Sequence, residues 1–303
     1  MKYSITMTVF VLLAPLGAQQ SATVAKQPPI AVATGADSAV LVGAGDIATC
    51  DGRPGAAETG QLLEHVAGTV MAVGDLAYPD GSAESFAHCY APTWGRVRAR
   101  TRPAPGNHEF HSAQATPYFA YFGAAAGNPA TGYYSYQLGA WHVVVLNSEC
   151  AAVGGCDAGS PQERWLRADL AAHPARCTVA YWHIPLFSSG AKHGNAPEIA
   201  PLWQALYDGG AELVINGHDH DYERFAPQTP SAGPDTARGI REFVVGTGGK
   251  TLRPFGAPRP NSEVRNADTY GVLRLTLLAS SYRWEFIPVT GQTFRDAGAG
   301  HCH

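Results

Sequence analysis

From residue 39 onward short apolar runs recur along the chain, each ending in glycine or asparagine and a polar residue. They are AVLVGAGD (39–46), TVMAVGD (69–75), WHVVVLNSE (141–149), CTVAYWH (177–183), AELVINGHDH (211–220) and REFVVGTGG (241–249). Runs this short, rich in β-branched residues and closed by turn formers, predict buried strands. Between them the apolar positions take a helical period over 56–66, 161–172 and 197–207, and SPQE at 160–163 has the form of a helix cap. Strand, helix, strand requires crossover connections and so a largely parallel sheet. The rhythm changes near the end, where YGVLRLTLL (270–278) and SYRWEFIPV (281–289) alternate like a hairpin that extends or opposes a sheet. The expected fold class is α/β, with two packed sheets between helices.

The first 38 residues stand apart from this pattern. Residues 1–18, MKYSITMTVFVLLAPLGA, have one early lysine, an uncharged apolar stretch and small residues at the end, the pattern of a secretory signal peptide. Pro15 interrupts the apolar run, which falls short of the ~20 residues a membrane span needs, and no later segment is long enough either. Residues 19–38 read as a polar leader, and 39–303 as a single catalytic domain. An exported chain, secreted or periplasmic, works where thiols pair, so the six cysteines are expected in disulfides. Cys150 and Cys156 can close the small loop between them, and Cys50–Cys89 and Cys177–Cys302 are the pairs expected for the rest, although spacing alone does not choose among the possible pairings.

With 303 residues, 45% of them hydrophobic and 15% charged, the chain has enough apolar surface for a full core. A net charge of −4 and only four lysines (Lys2, Lys26, Lys192 and Lys250) leave no basic face for tracking nucleic acid. Any anionic substrate is therefore small and met locally. Nothing in the sequence specifies an oligomeric state.

The chemistry lies where the apolar runs stop. Asp46, Asp75 with Tyr78, Asn107 with His108, His183, and His218 with His220 all follow short apolar segments. In open α/β sheets the loops beyond the strands' carboxyl ends form the ligand crevice, so these side chains are expected on one rim. In extended backbone His218 and His220 would face the same way, with Asp219 facing opposite. Carboxylates, an amide oxygen, imidazoles and a phenol form a mixed oxygen and nitrogen set suited to transition metals. A pair of ions about 3.5–4 Å apart uses the whole set, one histidine of the pair facing each ion. Taken singly each residue has a plainer reading: Asp46 or Asp75 as a helix cap, Tyr78 as a turn aromatic, Asn107 as a turn residue, His183 as a core histidine. Together those readings require five coincidences in order.

Asp46, GDLAY (74–78), GNHE (106–109), His183 and GHDH (217–220) resemble the five ordered motifs of the calcineurin-like metallophosphoesterases, and the second and fifth are most similar to those of purple acid phosphatases. The resemblance spans about residues 39–290. It implies an αββα sandwich of two mixed sheets flanked by helices. It also implies a first ion, typically Fe(III), held by Asp46, Asp75, Tyr78 and His220. A second ion (Fe, Zn or Mn) would be held by Asp75, Asn107, His183 and His218, with Asp75 as the bridge. The implied activity is hydrolysis of small phosphomonoesters by a metal-bridging hydroxide, with His108 as general acid and His193 as a substrate contact. The physical case agrees, because phosphoryl transfer asks mainly for charge neutralisation and an activated water, whose pKa a metal lowers from ~15.7 to about 7.

Two departures stand out. Many relatives carry a ligand histidine where this chain has Ala48, which leaves Tyr78 to complete the first ion, and the β-sandwich that precedes the catalytic domain of plant members finds no room in these residues. A phosphodiesterase or nucleotide hydrolase on the same core, or a catalytically silent metal- or phosphate-binding protein, are the competing functions. Glu223 and Arg224 are expected to brace the fifth loop. GTGG at 246–249 lacks the spacing of a phosphate-binding loop and reads as a tight turn, with Lys250 incidental.

Overall fold

Each apolar run forms a strand, and the strands assemble into two sheets. The computed structural model describes Met1 and residues 38–303, so the expected signal peptide and all but the last residue of the leader lie outside the described residues except for Met1. All described elements belong to the unit Gly35–His303. In chain order the strands are β1 (Ala39–Ala44), β2 (Thr69–Val73), β3 (Thr101–Ala104), β4 (Tyr134–Leu138), β5 (Trp141–Val145), β6 (Cys177–Tyr181) and β7 (Leu213–Asn216). They continue with β8 (Tyr222–Phe225), β9 (Arg241–Val245), β10 (Ser262–Asn266), β11 (Gly271–Leu278), β12 (Ser281–Pro288) and β13 (Ala297–His301).

The first sheet has the order β13-β12-β11-β1-β2-β3 and the second β10-β8-β9-β7-β6-β5-β4. Both are mixed. Parallel pairing joins β1 to β2 to β3 and β5 to β6 to β7 to β9, while antiparallel strands flank these cores. The expected C-terminal hairpin is β11 with β12, and it extends the first sheet by pairing with β1, Leu41 opposite Leu275.

Side-chain alternation explains the two-layer packing. In β6, Val179 and Tyr181 join the core shared by both sheets, whereas Ala180 faces a second core with Leu166, Trp203 and Leu206 from the helices Pro161–Ala172 and Ala200–Asp208. β5, β7 and β9 repeat the division, with Val144, Val214 and Val244 on the helix side. A strand buried on both faces has no polar positions to alternate, which is why these runs are continuously apolar. Each fully buried Val or Leu contributes about 1.5–3 kcal/mol over leaving it exposed.

The helix expected at 161–172 has the predicted bounds, and Ser160 Oγ accepts from the Glu163 N–H at 3.3 Å. The segment expected at 197–207 divides into a 3-10 turn, Pro197–Ile199, and a helix, Ala200–Asp208, with prolines at the first turn of each. All three disulfides form as expected: Cys50–Cys89, Cys150–Cys156 and Cys177–Cys302.

Candidate metal centre

The parallel strands of both sheets end at one place. Gly45 N–H donates to Val245 C=O at 2.9 Å across the two sheets, and Asp46 N–H to Gly74 C=O at 3.0 Å within the first. Just past the strand ends the backbone turns through the left-handed region at Asp46 (φ 58), Asp75 (φ 52) and His218 (φ 70). Aspartate tolerates that region better than most residues, and such conformations cluster at functional sites. A helix N-cap has extended backbone, so Asp46 is not a cap. The 217–221 segment is likewise bent and not extended. His218 and His220 therefore do not share a face through strand geometry; each is aimed by its own backbone turn.

Asp75 lies at the middle of the group. Its Oδ2 is 2.9 Å from Tyr78 Oη, 3.3 Å from His183 Nε2 and 3.6 Å from His108 Nε2, while its Oδ1 accepts from the His108 N–H at 2.9 Å. On one side Tyr78 Oη is also 2.8 Å from Asp46 Oδ1 and 3.2 Å from His220 Nε2. On the other, His218 Nδ1 lies 3.3 Å from His183 Nε2. Asp46 Oδ2 accepts from the His218 N–H at 2.8 Å, tying the sides together. Asn107 Oδ1 is buried and has no hydrogen-bond partner. Gly106 is obligatory here, because a Cβ at that position would overlap Asp75.

This donor set fits a cation. Tyr78 has one proton and three acceptors around it, so protein hydrogen bonds alone leave the cluster unsatisfied. His183 and His220 each point Nδ1 at a backbone carbonyl, Val73 at 2.9 Å and Thr251 at 2.8 Å. That tie orients each ring and turns Nε2 toward the carboxylates. Burial would lower the pKa of His183, but Asp75 and Asp46 outweigh it and hold it up at about 10. Burial, with the charges of His183 and His193, pushes His218 down to about 3. Burial alone would raise the Asp75 carboxyl, yet His183 and His108 hold it well below the usual range. The carboxylates thus demand compensating positive charge. Ala48, fully buried, contributes none, and Tyr78 occupies the space next to Asp46.

His108 packs against Tyr78 with ring centroids 4.4 Å apart, and its Nδ1 meets the Pro79 carbonyl, leaving Nε2 toward Asp75. His193 packs on His218, centroids 4.0 Å apart, and its Nε2 is 3.0 Å from an Arg253 nitrogen. Every candidate ligand or catalytic residue named from the sequence is therefore at or beside this point, whereas the two expected braces, Glu223 and Arg224, act elsewhere. Arg224 binds Asp296 at 2.7 Å and Glu263, because β8 carries it away from the fifth loop. Glu223 does brace a loop, though a neighbouring one: it accepts from Ser189 N–H at 2.7 Å and Oγ at 2.6 Å.

Sequence reasoning missed Glu109. It is fully buried and accepts from the N–H groups of Gly106 (2.8 Å), Asp75 (3.0 Å), Leu76 (2.8 Å) and Ala77 (3.3 Å), holding the second motif's backbone in place. Burial and the charge of Asp75 push its pKa up to about 8. Its place directly after His108 was the available signal. Lys250 was also undervalued: its N–H donates to Asp46 C=O at 2.8 Å and its Nζ sits 4.4 Å from the Tyr78 ring centre, so residues 246–250 wall the site and are more than a tight turn.

Among the described residues two groups have metal-holding spacing, Asp46 with Asp75 and His183, and His142 with Asp169 and His173, each with ligand atoms within 4.8 Å of one another. Two abutting mixed sheets that bring the first group together at their strand ends define the metallophosphoesterase class. Residues 41–222, more than half of the chain, match the calcineurin-like phosphoesterase model, and the chain belongs to that family, which uses a binuclear metal centre. It is 26% identical over 255 residues to purple acid phosphatase 18 of Arabidopsis thaliana, covering 74% of this chain and 55% of that protein. With human acid phosphatase type 7 it shares 28% over 253 residues, 70% and 56% of the two chains. The chain spans about half the length of these curated relatives. The structure of a purple acid phosphatase from yellow lupin (Lupinus luteus) seeds superposes with a TM-score of 0.70 at 21% identity, over 86% of this chain and 53% of that one.

Proposed function

We propose that this chain is an exported phosphatase that cleaves small phosphomonoesters at a pair of metal ions. The observation that carries the reading is the convergence on Asp75 Oδ2 of Tyr78 and His183, with His220 and Asp46 beyond the phenol and His218 beyond the imidazole. Asp46, Tyr78 and His220 would hold one ion, Asn107, His183 and His218 the other, and Asp75 would reach both. Bound there, Fe(III) with Fe, Zn or Mn supplies charge neutralisation for the phosphoryl oxygens and an acidified water as nucleophile.

The chain's own groups do the rest. The Val73 and Thr251 carbonyls keep the two imidazoles from turning. Because the Pro79 carbonyl occupies His108 Nδ1, Nε2 is the atom that gives a proton to the leaving alkoxide. His193, against His218, orients the substrate from the opposite side. Export is supported by the three disulfides, which belong to an oxidising compartment.

The test is turnover of p-nitrophenyl phosphate against bis(p-nitrophenyl) phosphate by the metal-loaded chain. Preference for the monoester is expected. Preference for the diester would replace phosphatase by phosphodiesterase, and two bound ions with no turnover of either would make the chain a silent binding protein. In iron-loaded protein a visible tyrosinate charge-transfer band should disappear in Tyr78→Phe.

A further inference from the structure

Four lysines occur in the sequence, and the two among the described residues, Lys192 and Lys250, both lie beside the candidate centre. Lys250 rests over the Tyr78 ring, and Lys192 acts electrostatically on its neighbour His193. Arg253 completes the group, 3.0 Å from His193 Nε2. In a chain of net charge −4 this is a local concentration of positive charge. Neither Lys250 nor Arg253 forms an ion pair with a carboxylate among the described residues, and both are half-buried. Asp51, whose charge reaches Lys250, is already engaged with Arg53 at 3.1 Å.

The backbone fixes these cations to the site. Lys250 N–H donates to the Asp46 carbonyl at 2.8 Å, Arg253 N–H to the His220 carbonyl at 2.9 Å, and Thr251 C=O meets His220 Nδ1 at 2.8 Å. The segment therefore moves with the two residues assigned to one ion. Lys250 flanks the phenol, and Arg253 flanks His193, which packs on His218. Both cations therefore border the centre in which a scissile phosphate would sit, one against Tyr78 and one against His193.

We propose that Lys250 and Arg253 form a second anion-binding subsite, and that the preferred substrates are phosphomonoesters whose leaving group carries another anionic group, carboxylate or phosphate, a few bonds from the scissile phosphorus. The proposal rests on the phosphatase reading for where the first phosphate sits. Its physical basis is that a half-buried cation with no carboxylate partner gains a charge-assisted hydrogen bond from such a group, whereas a neutral leaving group offers none.

The test reads binding and not turnover, so that its failure is distinct from failure of the phosphatase reading. Calorimetry on the metal-loaded full chain compares propylphosphonate with 3-phosphonopropionate, which adds one carboxylate at the far end, and with propane-1,3-bisphosphonate, which adds a phosphonate. The wild-type chain should bind at least one doubly anionic probe roughly tenfold tighter than propylphosphonate. Whichever probe wins identifies the second group. Arg253→Gln and Lys250→Met should each erase most of that ratio, and Arg253→Lys should keep part of it, which a merely structural role would not produce. Equal binding of all three probes by the wild type, or a ratio that survives in the double variant, overturns the proposal.

Discussion

The two groups of metal-capable side chains use the same residue types and differ in which nitrogen is already occupied. At the centre, His183 and His220 spend Nδ1 on the carbonyls of Val73 and Thr251, so it is their Nε2 atoms that approach the carboxylates of Asp75 and Asp46, both at 3.3 Å. In the other group His142 Nε2 meets Asp169 Oδ2 at 2.8 Å, Ser135 Oγ donates to Oδ1 at 2.7 Å, and His173 Nδ1 lies 3.1 Å away. There a single imidazole N–H satisfies the carboxylate without any ion. The lesson is that a histidine and carboxylate cluster is set up for a metal when several imidazoles, tied at Nδ1 to the backbone, turn Nε2 onto shared carboxylates.

The largest contrast should appear in Asp75→Asn against Asp169→Asn. The first removes the charge that reaches both halves of the centre, and kcat/KM for p-nitrophenyl phosphate should fall by roughly 10³ or more, with bound metal lost in elemental analysis. The second should leave metal content and kcat/KM within about twofold. If both variants keep their metal, the distinction between the groups is wrong. Next in size is Glu109→Ala, which contacts no proposed ligand side chain but strands four backbone N–H groups. It should cost about 3 kcal/mol in denaturant unfolding and lower activity as well. A glutamine there should recover part of the stability, since it still offers one acceptor oxygen.

That glutamate marks the boundary of what could be read from residues alone. The strand-end residues were legible because a polar side chain closing a continuously apolar run has few places to go but the rim of a sheet, and four of the six runs close on candidate ligands. Glu109 was not, because its work is done on backbone N–H groups whose convergence depends on the left-handed turn at Asp75. β13, AGAGH, shows the same limit in the fold. It has no apolar pattern, and it is a strand because Gly298 and Gly300 lie opposite Trp284 and Tyr282, whose rings occupy the space a Cβ would need. Composition registered two small residues where the structure has two covered aromatics. The same holds for the bend at His218: alternation put both histidines on one face, and only a positive φ that favours glycine or asparagine separates their targets.

Asp169→Asn should then reveal what the second group does contribute. With His142 buried and Asp169 nearly so, loss of the charge-assisted bond should cost about 1–2 kcal/mol at neutral pH, read from urea midpoints.

The smallest effect is the pH dependence of that same difference. Burial alone would raise the Asp169 carboxyl, but hydrogen bonds from His142 and Ser135, with the charges of His142 and His173, outweigh it and hold it below the usual aspartate range. A carboxyl depressed in the folded state contributes its stability above the unfolded pKa, ~3.9, and loses it as pH falls through the folded value. The gap between wild type and Asp169→Asn should therefore be flat from pH 7 to about 5 and shrink below about pH 4. Loaded metal should not alter that curve, since His142 already donates its N–H to the carboxylate and would have to surrender it to bind an ion. A gap that instead changes with added zinc at constant pH would make the second group a metal site after all, and the protonation logic that separates it from the centre would fail.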